Sequence, residues 1–570
     1  MSEAREQRRH AAASSLESLS YLFEESTKFF PVPGGVVSVI DRDGVLSETS
    51  FGFANIERAT PMSSALRFEI GSISKFFTAL AVNRLIDDGR LGLDETVAQV
   101  LPWLDLSASN RGASVARLLN HTSGMSVGAD TLPDDTGEIW NSRECASSSS
   151  ASPHFHYSNL GYLVLGEMVR ARSGQRLADF VQEQWLGPLG MHDALAQVTQ
   201  ADKASLATGY WPARPDHPWA PGDELSPSAF FEIDSASGNI AATSADMAAL
   251  VQALLGASGG DPVVGDDGAA VLSKDLFERM TSDLAPTGEP TYLLEGMSPV
   301  EQSRYAMGIN VERIDGHLCV SHGGGMVGYS TFMLVDCTAR IGVVVLTNAN
   351  GDTLASHLLA RVVHENVRAR LEGRTPLSGL SLDSTVRANA EANENPMVGS
   401  YVADDATTLE VRVAGGELRI HFENEEGALY RLIGGRYVTD HPGLRTFHLD
   451  WYQSGEDHGF THGARTFSAH HRGESLASTP THPLVGRYRS FSPWFPEFRV
   501  LERGGTLLLV APGGVEAPGE ETELVEVAPG EYRVGAEEWL PERIHINHVR
   551  GGEVISVDRD GCHYSRAFIV

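Results

Sequence analysis

A lysine stands three residues after a serine in Gly71-Ser72-Ile73-Ser74-Lys75, in a chain whose only other lysines are Lys28, Lys203 and Lys274. Arginine supplies the remaining basic side chains. The distinction is chemical, because arginine keeps its proton in a protein whereas lysine can lose it where its surroundings depress its pKa. A serine hydroxyl is a poor nucleophile until a base takes its proton. Positions three apart share a helix face, so Lys75 is placed to serve Ser72. Its free pKa of about 10.4 would be lowered by burial and by positive character at a helix N-terminus.

A second group is Tyr157-Ser158-Asn159. A tyrosine near a cationic lysine can be held as phenolate and shuttle a proton between the serine and a leaving group. Asn159 offers a donor and an acceptor to a substrate amide. The same residues also fit a buried tyrosine followed by an asparagine helix cap. The third group, His322-Gly323-Gly324-Gly325, closes a strand. Glycines such as Gly324 let backbone approach a ligand. The N–H of Gly325, with that of Ser72, would hold a developing oxyanion, and His322 would orient Tyr157 or a leaving group. Each group alone is weak; their order and context make them one site.

The elements that must position these residues can be read from periodicity. Val36 to Ile40 and the run from Val45 form a hairpin across Asp41-Arg42-Asp43-Gly44. Apolar residues at Phe77, Leu80, Ala81, Leu85 and Ile86 predict a helix from about Ser72 to Asp88. Leu160 to Arg172 and Leu177 to Gln184 are further helices. His317 to His322, Ser330 to Val335 and Ile341 to Thr347 predict an antiparallel meander. Residues 373–395 lose periodicity and read as a linker. Beyond it the chain repeats: Pro396-Met397-Val398-Gly399-Ser400-Tyr401 returns 87 residues later as Pro483-Leu484-Val485-Gly486-Arg487-Tyr488. Each copy is followed by strand, Gly-Gly, strand, at Gly415-Gly416 and Gly504-Gly505. Two tandem antiparallel β-barrels are expected, over 396–480 and 481–570, after a first domain over 1–372. Phe491-Ser492-Pro493-Trp494-Phe495-Pro496 is an aromatic insertion absent from the first copy, a candidate to reach a cleft or to cover a sheet edge.

Composition bounds the function. At 570 residues, 42% hydrophobic and 21% charged, the chain suits a folded protein of several domains. A net charge of −31 argues against nucleic acid or an anionic membrane as partner. Cys145, Cys319, Cys337 and Cys562 have no metal-ligand spacing and are expected as buried free thiols. No HExxH or comparable zinc motif occurs, and neither metal nor cofactor is implied. The N-terminus has no apolar core of the kind a secretory signal needs. No window of about 18 apolar residues suggests a membrane span, so the expected location is cytoplasmic. The oligomeric state stays open, a homo-oligomer included.

The three motifs resemble those of the serine β-lactamase and penicillin-binding-protein superfamily, SxxK, YxN and a KTG-like triplet. Histidine in the third resembles the class C-like branch with D-aminopeptidases, DD-carboxypeptidases and esterases. Leu118-Leu119-Asn120-His121-Thr122-Ser123-Gly124-Met125, Pro188-Leu189-Gly190-Met191 and Gly238-Asn239-Ile240 agree. The resemblance covers about 25–370 and implies an α+β fold, a five-stranded antiparallel sheet flanked by helices, with a helical lobe. It implies Ser72, Lys75, Tyr157 and His322 as catalytic residues and Asn159, Gly324 and Gly325 as substrate-binding ones. Ser74 and His121 are expected to be structural, and His154 and His156 to line the cleft or core. A catalytic domain followed by two barrels resembles D-stereospecific aminopeptidases, where a C-terminal loop reaches the cleft. That implies short peptides or amides with a D-residue and a free amino end. An esterase or weak β-lactamase, a peptide thioesterase or cyclase acting by acyl transfer, and a non-catalytic assembly protein are the alternatives.

Overall fold

The computed structural model describes residues 3–567 apart from 129–133, 144, 146–153, 266–269, 350–353, 388–394, 433–434, 471–481, 512 and 514–518. The first part is one antiparallel sheet between helices. Its strands are β1 (Gly34–Asp41), β2 (Gly44–Asn55), β3 (Thr60–Pro61), β4 (Val300–Tyr305), β5 (Asn310–Ile314), β6 (His317–Met326), β7 (Tyr329–Asp336) and β8 (Ile341–Thr347). They lie in the order β3-β2-β1-β8-β7-β6-β5-β4. The sheet therefore has eight strands where five were expected. The additional edge includes β4, Val-Glu-Gln-Ser-Arg-Tyr, whose charged residues hide a strand period.

The central strands are buried on both faces, and alternation decides which core each side chain enters. Val343 and Val345 join Val37 and Val39 against α1 (Glu3–Ser18) and the late helix Ala355–Leu371. Val344 and Leu346 point the other way, into the core shared with α2 (Ser74–Asp87), α3 (Asn159–Ser173) and Ser244–Ser258. Each such residue contributes about 1.5–3 kcal/mol by leaving water, which makes the sheet a rigid floor for β6. Among the described residues no helix is long and apolar enough to cross a membrane.

Two closed eight-stranded barrels follow, the first from Gly399–Val402 to Arg465–Ser468 and the second from Gly486–Arg489 to Cys562–Arg566. The repeated motif has a physical basis. Tyr401 donates its hydroxyl proton to the Met397 carbonyl at 2.9 Å, and Tyr488 does the same to Leu484 at 2.8 Å. Both glycine pairs lie at positive φ, 65° and 85° in the first barrel and 56° and 82° in the second, as a tight two-residue hairpin requires. Of the expected linker, 388–394 lie outside the described residues. Its earlier part is bound on both sides: Leu382 N–H donates to Glu25, and Val386 exchanges backbone bonds with Leu429 and Leu418. The boundary expected near 480 also falls outside the described residues. All four cysteines are free, three buried and Cys337 partly so.

Candidate active site

Ser72 sits in a single 3₁₀ turn, Gly71–Ile73, that leads into α2 at Ser74. The expected helix thus starts two residues after the serine. Gly71 has φ +51°, and a Cβ there would meet the Gly325 backbone oxygen at 2.5 Å and nitrogen at 2.7 Å. A Cβ at Gly324 would collide with the Ile70 carbonyl, and one at Gly323 would lie 2.5 Å from His357 Nε2. The triple glycine is therefore set by contact on both sides, and it lets the serine turn lie directly on β6. β5 pairs with β6 only over His317–Ser321. From His322 onward that edge of β6 runs along the Ser72 turn instead.

Lys75 is fully buried on the first turn of α2. Its Nζ donates to Ser72 Oγ at 2.9 Å and to the Ser237 carbonyl at 3.0 Å, and lies 4.9 Å from the centre of the Tyr157 ring. Ser74 turns away and accepts the Ile240 N–H at 3.1 Å, a structural bond.

Tyr157 is half-buried, its ring 4.3 Å from that of His121 and edge-on to Tyr305 at 6.2 Å. His121, at φ +58°, pins the backbone on both sides of the tyrosine. Its carbonyl accepts the His156 N–H at 2.8 Å and its Nδ1 accepts the Ser158 N–H at 3.0 Å. Burial, reinforced by the nearby Lys75 charge, holds the His121 pKa well below the usual imidazole range. The cap of α3 is Ser158, which accepts the Gly161 N–H at 3.0 Å, so Asn159 is not the cap. Asn159 is buried at the head of α3, and its N–H donates to the Val127 carbonyl at 2.9 Å.

His322 is fully buried. Nδ1 donates to the Gly323 carbonyl at 2.6 Å, and Nε2 accepts the Tyr305 hydroxyl proton at 2.7 Å. Its pKa is lowered to about 3 by burial, with Lys75 adding to the effect against the Gly323 bond. The ring is therefore neutral near pH 7, and its link toward Tyr157 runs through the Tyr305 ring. Tyr305 belongs to no motif, and nothing in the sequence singled it out.

Ser72, Asn159 and Gly325 line one cleft. One wall is acidic, with Asp134, Asp135 and Glu138 from the start of the helix Asp135–Asn141. Asp135 accepts the Ala236 N–H, and burial pushes its pKa well above the usual carboxylate range. The apolar wall includes Ile233, Met326 and Trp494, and Trp494 belongs to the aromatic insertion of the second barrel. It packs on Phe231 at 6.0 Å between ring centres. The second barrel makes further contacts. Trp539 stacks on His154 at 4.5 Å, and Glu542 bonds His156 Nε2 at 2.6 Å. His154 and His156 thus face the barrel. Among the described residues, Cys319, Asp336 and His364 could hold a metal ion, their ligand atoms lying within 4.8 Å of one another. That carboxylate already accepts from His317 at 2.8 Å and His364 at 3.0 Å, with the Arg368 guanidinium 3.8 Å away. A cation would have to displace those partners.

Several known proteins are similar to this chain. Penicillin-binding protein 4* of Bacillus subtilis (strain 168) is 25% identical over 416 residues, 69% of this chain and 84% of the relative. Penicillin-binding protein 4 of Amycolatopsis lactamdurans is 29% identical over 266 residues, 45% of this chain and 66% of its own length. Protein flp of Staphylococcus aureus (strain MW2) is 24% identical over 365 residues, 61% of this chain and 67% of the relative. The chain thus spans about two thirds of two of these relatives. Among solved structures, the octameric penicillin-binding protein homologue from Pyrococcus abyssi has a TM-score of 0.52 at 21% identity, covering 80% of this chain and 99% of that one. D-amino acid amidase from Ochrobactrum anthropi SV3 has a TM-score of 0.50 at 21% identity, covering 63% and 98%. Both share its fold. The Beta-lactamase family matches residues 27–366, more than half the chain, and the protein belongs to that family.

Proposed function

We propose that the protein is a serine hydrolase that cuts the amide bond of D-amino-acid amides or short peptides with a D-residue and a free amino end. The observation that carries this reading is the cleft itself. It joins Ser72 to an acidic wall at Asp134, Asp135 and Glu138 and is narrowed by Trp494. Asp134, the exposed carboxylate of that wall, suits a substrate ammonium by opposite charge, and Asp135, its pKa raised by burial, offers the ammonium a hydrogen-bond acceptor. A narrowed cleft suits short substrates. The D-configuration is taken from the resemblance of the whole arrangement to D-stereospecific aminopeptidases, and the fold shared with the Ochrobactrum anthropi amidase is compatible with it. Assembly of several copies belongs to the same proposal, in view of the octameric Pyrococcus abyssi neighbour.

In this reading neutral Lys75 keeps one N–H on the Ser237 carbonyl and turns its lone pair to Ser72. Ser72 Oγ attacks the substrate carbonyl and its proton passes to Nζ. The N–H groups of Ser72 and Gly325 hold the oxyanion, while Asn159 and the backbone at Gly324 bind the substrate amide. As the C–N bond breaks, Tyr157 relays a proton from Lys75 to the leaving amine, leaving an ester on Ser72. Water then attacks the ester carbonyl and passes its proton through Tyr157 to Lys75; as the C–Oγ bond breaks, Lys75 returns that proton to Ser72 Oγ and the acid leaves. His322 acts from behind, through Tyr305.

The test is hydrolysis of D-alanine p-nitroanilide beside its L-isomer by wild type and Ser72→Ala. Cleavage of the D-isomer alone, lost in the variant, is the expected result. Turnover confined to p-nitrophenyl esters or chromogenic cephalosporins would overturn the amidase reading in favour of an esterase or β-lactamase.

A further inference from the structure

One carboxylate of the second barrel bonds both His156, which precedes Tyr157, and Val127, whose carbonyl holds the Asn159 backbone. Glu542 Oε1 accepts the Val127 N–H at 3.1 Å and bonds His156 Nε2 at 2.6 Å. Val127 in turn accepts the backbone N–H groups of Asn159 at 2.9 Å and Leu160 at 3.1 Å through its carbonyl. His156 directly precedes Tyr157. The two bonds therefore reach the tyrosine from its N-terminal side and the asparagine through one intervening residue. Glu542 is 7% exposed, so water screens these bonds little. Trp539 closes the contact from outside, stacked on His154 and edge-on to His156 at 5.7 Å. Close by, Asn141 Nδ2 donates to the Gly561 carbonyl at 2.6 Å, a second bond between the same two regions.

We propose that Glu542 is a positioning residue, through which the second barrel sets the placement of Tyr157 and Asn159 against Ser72. This rests on the reading that those two residues serve Ser72. The physical reason is reach. A hydrogen-bonded carboxylate fixes Val127 and His156 within a few tenths of an ångström, and a displacement of about 1 Å at a reacting group can cost about 100-fold in rate. Charge-assisted bonds of this kind are roughly twice as strong as neutral ones. The first barrel supplies no group to this segment among the described contacts, so the role belongs to the second copy of the repeat.

The experiment uses the full chain and kcat/KM for D-alanine p-nitroanilide, whose leaving amine takes its proton from Tyr157, with fluorophosphonate labelling of Ser72 and thermal unfolding as checks on the nucleophile and on folding. The variants are Glu542→Ala, Glu542→Gln, Tyr157→Phe and the Glu542→Ala/Tyr157→Phe double variant. Glu542→Ala is expected to lower kcat/KM about 100-fold. Glu542→Gln keeps an acceptor oxygen and the packing, and is expected to lower it about tenfold. In the Tyr157→Phe background the further effect of Glu542→Ala should shrink to less than about threefold, because the two act as one unit. Equal fractional losses in both backgrounds would overturn the proposal, as would a Glu542→Gln value within twofold of wild type. If wild type is labelled at Ser72 but does not cut the anilide, the substrate reading fails; if it is not labelled, the hydrolase reading fails; both outcomes are separate from failure at Glu542.

Discussion

The two barrels are built from the same repeat and close in the same way, yet among the described residues only the second enters the cleft. Both start from a tyrosine bonded to the carbonyl four residues before it, and both turn on a pair of left-handed glycines. The difference is in what joins the first two strands. The first barrel crosses from Val402 to Thr408 by a short turn at Asp404–Thr407. The second crosses from Arg489 to Glu497 by the longer Phe491–Pro496 loop, which puts Trp494 in the wall of the cleft that holds Ser72. The first barrel instead holds the chain together. It receives Val386 from the preceding segment, pairs Arg445 with Asp223, and donates from Arg436 to the Gly519 carbonyl of the second barrel at 2.8 Å. Identical frameworks have thus divided the work by their loops, one as a spacer and one as a wall of the site.

Of the two tests of this division between the barrels, the larger effect is expected from making the second barrel's loop like that of the first. Replacing 490–496 with the short turn at 403–407 removes Trp494 and opens the cleft. kcat/KM for a single-residue D-amide should fall about tenfold as apolar contact is lost. Longer D-peptides should be cut relatively better. Unchanged ranking of short and long substrates would show that Trp494 is a bystander.

A smaller, opposite-signed effect should separate the barrels by pH. In the first, burial lowers the pKa of His462 to about 4 and holds His448 well below the ordinary value. Below about pH 6.5 the unfolded chain binds protons that these folded histidines refuse, so stability is full above that pH and falls as pH drops toward 4. In the second, burial and then the neighbouring Glu542 charge raise the Asp560 pKa. From about pH 3.9 upward the fold keeps a proton that the unfolded chain has lost, so this contribution declines as pH rises. Each group changes stability by at most about 1.4 kcal/mol per pH unit. Amide exchange in each barrel at pH 5 and 7.5, corrected for intrinsic rate, should show the first loosening in acid and the second relatively tightening. Asp560→Asn should flatten the second response. The same sign in both barrels would contradict this comparison.

Much of this was legible in the sequence where the signal was local. Ser72 and Lys75 lie three apart on one turn, the glycines of β6 are adjacent, and the repeat is a copied string. What escaped was set by contacts distant in the chain. Glu542 and His156 are 386 residues apart, and no period links them. Tyr305 ends β4, an edge strand whose charged, half-exposed residues follow no clean alternation. Ser158 rather than Asn159 caps α3: His121 Nδ1, distant in the chain, holds the Ser158 N–H while the serine Oγ accepts the Gly161 N–H. The insertion at Phe491–Pro496 was visible as an aromatic run, but which ring met the cleft depended on how the barrel sat. Phe491 is fully exposed, while Phe495 packs against the barrel core.

The central claim is that Ser72 is the nucleophile and Lys75 its base. Intact-mass analysis and peptide mapping after fluorophosphonate treatment of wild type, Ser72→Ala and Lys75→Arg test it directly. The account predicts one adduct on Ser72 in wild type, none in Ser72→Ala, and labelling slowed by at least about 100-fold in Lys75→Arg, since arginine cannot take the proton. An adduct that persists in Ser72→Ala, or a Lys75→Arg protein labelled at the wild-type rate, would contradict it.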